Sequence, residues 1–167
     1  MSTLPPWSRR TPEEAALMNP AFMGTVVHHA VHGFEQESGL GMPFPLVFLV
    51  PPVVLVEGTR AVLPRRKDNS LAAWLQDHPN TRLRFGAIAG AMVPVVREGL
   101  LFAAAKAALA LDGAGFRAGR LVRGSGAAVA TNTNQFQEIL RSARFVGKWY
   151  ANAGTTETIM ALWGVRP

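Results

Sequence analysis

Residues 135–152 carry the sequence Gln135-Phe-Gln-Glu-Ile-Leu-Arg-Ser-Ala-Arg-Phe-Val-Gly-Lys-Trp-Tyr-Ala-Asn152. Apolar and small residues recur in this stretch at intervals of three and four, which is the spacing of one face of an α-helix. The positions on this face are Phe136, Ile139, Leu140, Ala143, Val146, Gly147 and Tyr150. The stretch therefore predicts a long helix with one buried face.

The chain stays apolar and aromatic beyond this helix, to the closing residues Ala161-Leu-Trp-Gly-Val-Arg-Pro167. A short helix is predicted over 156–162. Large aromatic side chains offset the cost of ordering only when they are buried, so this terminus is predicted to pack in a core or against a partner. Trp149, Tyr150 and Trp163 could instead stack on nucleic-acid bases, but their place among aliphatic residues on helical segments favours core or interface anchors.

Similar signals divide the rest of the chain. Thr11-Pro12 and Asn19-Pro20 each combine a capping residue with proline at the first helical position. Residues 109–117 predict a β-hairpin around an Asp-Gly turn. The further predicted helices cover 21–37, 46–56 with a kink at Pro51-Pro52, 59–63, 71–78, and about 81–109 with a bend at Pro94. For 46–56, which is rich in Val and Leu, a buried strand is the alternative.

The length of 167 residues suits one domain. We expect residues 1–10 to form a flexible lead-in and residues 11–167 a single helical domain, with a mobile loop at 124–134. The helices from 59 onward and the hairpin stand in the order of a winged helix-turn-helix. The predicted fold class is therefore a compact, mainly α domain with a small β-hairpin and a winged-helix-like order of elements.

Composition narrows the range of functions. The formal net charge is +6, charged residues make up 17% and cysteine is absent, which excludes disulfides and thiolate metal sites. So low a fraction of charged residues is typical of a chain that covers part of its surface in a complex. The N-terminus lacks a signal-peptide pattern, and four prolines disfavour a membrane span over the uncharged residues 39–56. We therefore expect a cytoplasmic protein without a membrane contact.

No spacing of residues predicts an enzyme. The chain has no Gly-x-x-x-x-Gly-Lys-Ser/Thr phosphate loop, and Gly124-Ser125-Gly126 lacks the strand-turn-helix context of a nucleophile elbow. His28 and His32 share a helical face, so a metal-dependent hydrolase is an alternative. Because no third ligand is evident, a solvated or interface-facing histidine cluster is favoured, and we predict no cofactor and no metal.

Two basic segments are candidates for one basic face. They are Arg65-Arg66-Lys67 and the pair Arg82 and Arg84. Such a face would meet DNA phosphates or an acidic partner. The alternative is a solvated loop followed by a helix start, where cations oppose the helix dipole.

Several motifs, in their order, resemble one known family. They are Asn19-Pro-Ala-Phe22, Pro43-Phe-Pro-Leu-Val-Phe-Leu-Val-Pro-Pro52, Thr59-Arg60 with Leu63-Pro64, Ser70-Leu-Ala-Ala-Trp-Leu75, Arg144-Phe-Val-Gly-Lys-Trp149 and the closing residues 161–167. Together they resemble the middle component of three-component ABC systems, which are bacterial anti-phage modules of the Lamassu type. The motifs are structural, so no catalytic residue is carried over.

The resemblance implies a non-enzymatic adaptor that bridges an SMC-like ABC ATPase with a coiled coil and an effector, often a nuclease. It would help to couple DNA sensing to effector release, with DNA contact through the basic residues left open. The predicted docking surfaces are the segments 43–56 and 144–167, and their interface residues are Phe44, Leu46, Phe48, Val50, Phe145, Trp149, Tyr150, Leu162 and Trp163. The alternative function is a stand-alone winged-helix DNA-binding protein.

Overall fold

The computed structural model describes residues 19–113, 115–121 and 134–166. In these ranges the helices are α1 (Pro20–Ser38), α2 (Phe44–Val47), α3 (Val50–Leu55), α4 (Glu57–Arg60), α5 (Leu71–Asp77), α6 (Pro79–Ala105), α7 (Asn134–Ala151) and α8 (Thr156–Trp163). The strands are β1 (Met42–Pro43), β2 (Leu109–Asp112) and β3 (Gly115–Ala118). The prediction of a mainly α-helical fold with a small β element is confirmed.

Several helix ends lie where their local signals place them. The Asn19 side chain accepts hydrogen bonds from two backbone N–H groups in the first turn of α1. Ser70 and Thr155 cap α5 and α8 in the same way, which satisfies donors that have no acceptor inside the helix. Gly39 follows α1 in the left-handed conformation, with φ 72°. Glycine adopts this conformation without a steric cost from Cβ, so it ends the helix.

The most extensive helix contact joins α1 and α7. A methyl group on Gly33 would overlap the carbonyl oxygen of Arg144, and one on Gly147 would overlap the carbonyl oxygen of Ala30. Backbone therefore packs on backbone at both places. All the predicted face positions of α7 are buried, which confirms the amphipathic helix: Phe136, Ile139, Leu140, Ala143, Val146, Gly147 and Tyr150.

A second pair of glycines brings α6 against α1. A Cβ on Gly24 would lie 2.9 Å from the carbonyl oxygen of Gly99, and a Cβ on Gly99 would lie 2.7 Å from Cβ of Met23. The crossing therefore uses the C-terminal half of α6. The helix runs through Pro94 and ends at Ala105, earlier than the predicted end near 109. The bend at Pro94 stays a prediction.

The predicted hairpin is present, but its sheet contains a third strand that the sequence did not indicate. Strand β1 pairs antiparallel with β3, so the order is β1-β3-β2. Met42 lies opposite Phe116, and Pro43 opposite Gly115. Proline lacks an N–H donor, which an edge strand tolerates. A strand of two residues has no alternation of polar and apolar positions, and sequence periodicity therefore cannot reveal it.

The predicted helix over 46–56 is two helices, α2 and α3, separated by Phe48 and Leu49. Pro51 and Pro52 lie in the first turn of α3 and do not form a kink in mid-helix. The N–H groups of a first turn have no acceptor within the helix, so proline costs little there. The alternative of a buried strand is wrong.

Helices α5 and α6 and the hairpin follow in the winged-helix order, and only His78 separates the two helices. Pro79 begins α6 as its first residue. The most extensive contacts, however, join α1 with α7 and with α6. Two of these three helices lie outside the segment that has the winged-helix order. The packing of this core is therefore not organised by that motif.

Three predictions fall on residues outside the described ranges: the lead-in at 1–10, the helix start at Thr11-Pro12 and the loop at 124–133. Asn134, predicted as the last loop residue, is the first residue of α7. The described part of the predicted domain 11–167 contains one connected cluster of buried apolar side chains.

Gly147→Ala tests the backbone contact between α1 and α7. We expect it to lower the free energy of unfolding by at least about 2 kcal/mol, because the new methyl group must displace the α1 backbone. Urea unfolding followed by circular dichroism measures this change. Gly58→Ala is the matched control, since Gly58 is an exposed helical glycine with open space around it. Alanine there should leave the stability unchanged or raise it by up to ~1 kcal/mol. Equal losses in both variants would contradict the role of this contact.

Candidate functional site

The C-terminal aromatic residues belong to the core of this chain. Trp149 and Tyr150 are fully buried, and Trp163 is 1% exposed. Trp149 donates a hydrogen bond from Nε1 to the carbonyl oxygen of Asn69 at 2.7 Å, and burial raises the pKa of Tyr150. Trp74 packs edge-on against Trp149, with ring centroids 5.4 Å apart. The terminus is therefore ordered by the chain itself.

Five of the nine residues predicted to contact a partner are therefore wrong as interface residues: Leu46, Val50, Trp149, Tyr150 and Trp163. Each is at most 1% exposed, so a partner would reach these side chains only if the core opened. The packing of α2, α3, α7 and α8 satisfies their burial internally. The other four residues retain some exposed surface: Phe44, Phe48, Phe145 and Leu162.

Phe44 and Phe48 form an ordered aromatic pair at the surface. Phe44 is 45% exposed. Its ring centroid lies 5.3 Å from that of Phe48 in a T-shaped arrangement, and 5.8 Å from that of Phe116, on which it stacks. These contacts fix the Phe44 ring while nearly half of it faces solvent. An exposed aromatic side chain held in place by its neighbours is typical of an interaction surface.

A cavity of about 590 Å³ opens beside this aromatic pair. We call it the α6 groove. Its apolar walls comprise Phe44 and Phe48, then Gly86, Ala89, Gly90 and Val93 from α6, and Met160 and Val165 at the end of the chain. Both predicted docking segments, 43–56 and 144–167, contribute to this groove. Helix α6 also contributes, although it lies outside both predicted docking segments.

One side of α6 lines the groove with little side-chain cover. Gly86, Gly90, Val93 and Arg97 follow one another at intervals of four, three and four, which places them on one face of the helix. A Cβ on Gly90 would meet no atom within 4 Å, and one on Gly86 would meet only Cγ1 of Val165, at 3.9 Å. The helix backbone is therefore accessible from the groove at these two positions.

A second cavity, of about 370 Å³, lies at the start of α6. Leu75, Leu83 and Leu162 are among its lining residues, and Leu83 is 81% exposed. Leu83 lies on the same side of α6 as Gly86 and Gly90. At a rise of 1.5 Å per residue, the mostly apolar face from Leu83 to Arg97 extends for roughly 20 Å along the helix.

Two exposed arginines line the α6 groove among its apolar residues, Arg97 and Arg166. Within the part of the chain that the structure describes, neither takes part in an ion pair. Glu157 lines the adjoining cavity together with Arg166. Hydrogen bonds from its own backbone N–H and from Thr155 hold the pKa of Glu157 below its ordinary value. Glu157 does not line the α6 groove, whereas Arg97 and Arg166 do, so the groove itself carries a positive charge.

The two basic segments contact different elements. Arg66 and Lys67 form ion pairs with Asp68 and Glu37, whereas Arg82 donates from Nε to a backbone carbonyl of α8 at 2.8 Å. No hydrogen bond or ion pair joins the two segments among residues 19–113, so a single basic face stays a prediction. The other cations of the two segments are exposed: Arg65 and Arg84.

His28 and His32 share one face of α1, with ring centroids 6.2 Å apart. Nε2 of His28 lies 2.9 Å from the carbonyl oxygen of Gly119, so it carries the proton and donates. Nδ1 of His28 is buried and has no partner among the described residues. Residues 19–113, 115–121 and 134–166, which the structure describes, contain no group of three His, Asp or Glu side chains placed to hold a metal ion. The hydrolase alternative therefore gains no support from the described histidines.

By length and composition alone, α6 could cross a membrane. Its most apolar window of 18 residues has a mean hydropathy of 1.6, and 33% of that window is buried. The same test is passed by core helices of soluble proteins. Helix α6 packs on α1, α3 and α8, with Phe85, Val96 and Leu100 buried. Of its exposed or half-buried positions, Gly86, Gly90 and Val93 line the α6 groove, and Leu83 lines the second cavity.

Residues 7–167 match the family model described as ABC-three component (ABC-3C) system Middle Component 3. The match includes every described residue and thus all of the α6 groove. No curated protein and no solved structure matches the chain. The family description places its members in a system of three components and assigns no reaction to them.

His29 makes the stability of the fold depend on pH. Burial, with smaller contributions from His28, Arg144 and His32, lowers the pKa of His29 to about 4 from its ordinary value of 6.5. The unfolded chain therefore takes up a proton at His29 as the pH falls below 6.5, whereas the folded chain does so only near 4. Protons thus favour unfolding across this interval.

We expect the wild type to lose stability relative to His29→Gln as the pH falls from 6.5 to 4, because glutamine does not titrate. Thermal unfolding of both proteins at pH steps across this range measures the difference. Parallel pH profiles would mean that His29 has no lowered pKa.

Proposed function

The chain belongs to the middle component 3 family of ABC-three component systems, and from this premise we propose that it is a non-enzymatic adaptor subunit. Its partners are the other two components, an SMC-like ABC ATPase with a coiled coil and an effector nuclease. The adaptor bridges the two in a Lamassu-type anti-phage complex. It helps to couple sensing of DNA by the ATPase to release of the effector.

The observation that carries the proposal is the pair of apolar cavities along α6. An adaptor must contact two partners at once, and the α6 groove and the cavity beside Leu83 provide two concave apolar surfaces on one domain. Phe44 supports the same interpretation, since it extends the apolar surface of the groove, and contiguous exposed apolar surface marks interaction sites.

Docking of this kind requires that the two surfaces have complementary shapes and make apolar contacts. It does not require a reactive group. The volume near 590 Å³ is comparable to that of small-molecule pockets, so the groove has room for apolar side chains of a partner. We propose that the chain acts in the cytoplasm, without a cofactor and without a membrane. A lipid-facing side of α6 would present no recess, and it would not place Arg97 within its apolar face.

Co-expression of the three components tests this function. With an affinity tag on the ATPase, we expect the effector to co-purify only when this chain is present, because the chain supplies the contact between them. The control is the same expression without this chain. If the effector is recovered equally well in the control, the chain is not a bridge.

The purified chain alone distinguishes the adaptor from a stand-alone DNA-binding protein. The adaptor is expected to bind duplex DNA weakly. Tight, salt-dependent binding that falls in Arg65→Ala and Arg84→Ala would favour the winged-helix alternative, since these exposed cations would then contact phosphates.

A further inference from the structure

The α6 groove has features of a docking site for a helix. Phe44 and Val165 line it together with Gly86 and Gly90, where the backbone of α6 is accessible. These glycines are one helical turn apart. A surface of small residues at this spacing allows the backbone of a second helix to approach closely, with its side chains packed to either side.

An extended peptide fits the groove less well. Extended segments gain affinity through backbone hydrogen bonds to an open strand edge. The segments that line the groove, 44–49, 86–97 and 160–166, contain no strand. Most of the backbone N–H and C=O groups of 86–97 are already paired within α6, so the groove offers few backbone partners to a docked segment. A helix needs none, because its own backbone groups are paired internally.

Charge narrows the chemistry of the occupant. Arg97 and Arg166 line the groove beside apolar side chains and, in the described residues, have no carboxylate in an ion pair. A partner that covers the groove would desolvate both guanidinium groups. Such desolvation is tolerated when the partner supplies carboxylates at matching positions.

We propose that the α6 groove binds an amphipathic helix of a partner subunit, with apolar side chains that pack on Phe44, Phe48 and Val93 and with carboxylates that pair with Arg97 and Arg166. This inference rests on the proposed adaptor function, because the helix belongs to one of the other two components. It assigns one of the two docking surfaces along α6 and the chemistry that this surface recognises.

Gly90→Leu tests the close approach of the helix. The leucine side chain would occupy the groove, and we expect affinity for one purified partner component to fall at least ~10-fold. Gly58→Leu is the matched control, because Gly58 is also an exposed helical glycine with nothing within 4 Å of its Cβ position. It should bind like the wild type. Leucine is a better helix former than glycine, so neither variant should have a lower thermal midpoint than the wild type.

Charge reversal tests the carboxylates. In Arg97→Glu combined with Arg166→Glu we expect binding to that component to fall ~10-fold and its dependence on salt to shrink. Arg120→Glu combined with Arg141→Glu is the control, because both arginines are exposed, neither lines the groove and the net charge changes by the same amount. Equal effects in the control and at the groove would indicate a general effect of net charge and overturn the pairing.

The outcomes separate this inference from the proposed function. If Gly90→Leu binds each purified component as tightly as the wild type, the helix-docking inference is wrong and the adaptor function stands. If the wild type binds neither component, both fail. A photoreactive phenylalanine derivative in place of Phe44, which lines the groove and is 45% exposed, keeps the aromatic ring and identifies the occupant in the assembled complex. Crosslinks to an acidic, amphipathic helical segment support the inference, and crosslinks to a basic segment, a loop or nucleic acid contradict it.

Discussion

The direct packing of backbone on backbone between α1 and α7, at Gly33 and Gly147, is the constraint on which the rest of the structure depends. No side chain separates the two helices there, so their spacing is fixed by van der Waals contact. The opposite contact of α1, through Gly24 and Gly99, holds the C-terminal half of α6. In the N-terminal half of α6, α8 and the segment around Phe44 leave the backbone at Gly86 and Gly90 accessible. The α6 groove is the surface that remains.

The aromatic core connects this groove to the end of the chain. Trp163 stacks on Phe85 with ring centroids 3.9 Å apart, which ties α8 to α6 and places Val165 beside Gly86. Burial of one large apolar side chain contributes roughly 2–3 kcal/mol, and this core supplies that burial without a partner. Trp163 thus supports the proposed docking surface from the side of the core, while Phe44 and α6 form the surface itself.

Local signals were sufficient for most of the helices. Caps at Asn19 and Ser70 and the spacing of apolar residues over 135–152 act between residues at most a few positions apart, so they can be recognised without the fold. The predicted helix 135–152 and the observed α7 differ by one residue at each end. The break at Phe48-Leu49 and the strand at 42–43 were missed, because each is too short to show a period. The position of the strand also depends on a distant partner, β3.

The sequence by itself determined the helical class, the long amphipathic helix and the membership of a family of middle components, because these rest on local spacing and on ordered motifs. It did not decide whether Trp149 and Trp163 face the core or a partner, since both roles require the same residue type and the same burial. Only the tertiary structure decided that, and only it brought Phe44, Gly90 and Val165 to one groove. These three residues are far apart along the chain, and their place in one groove follows from how α2, α6 and α8 pack.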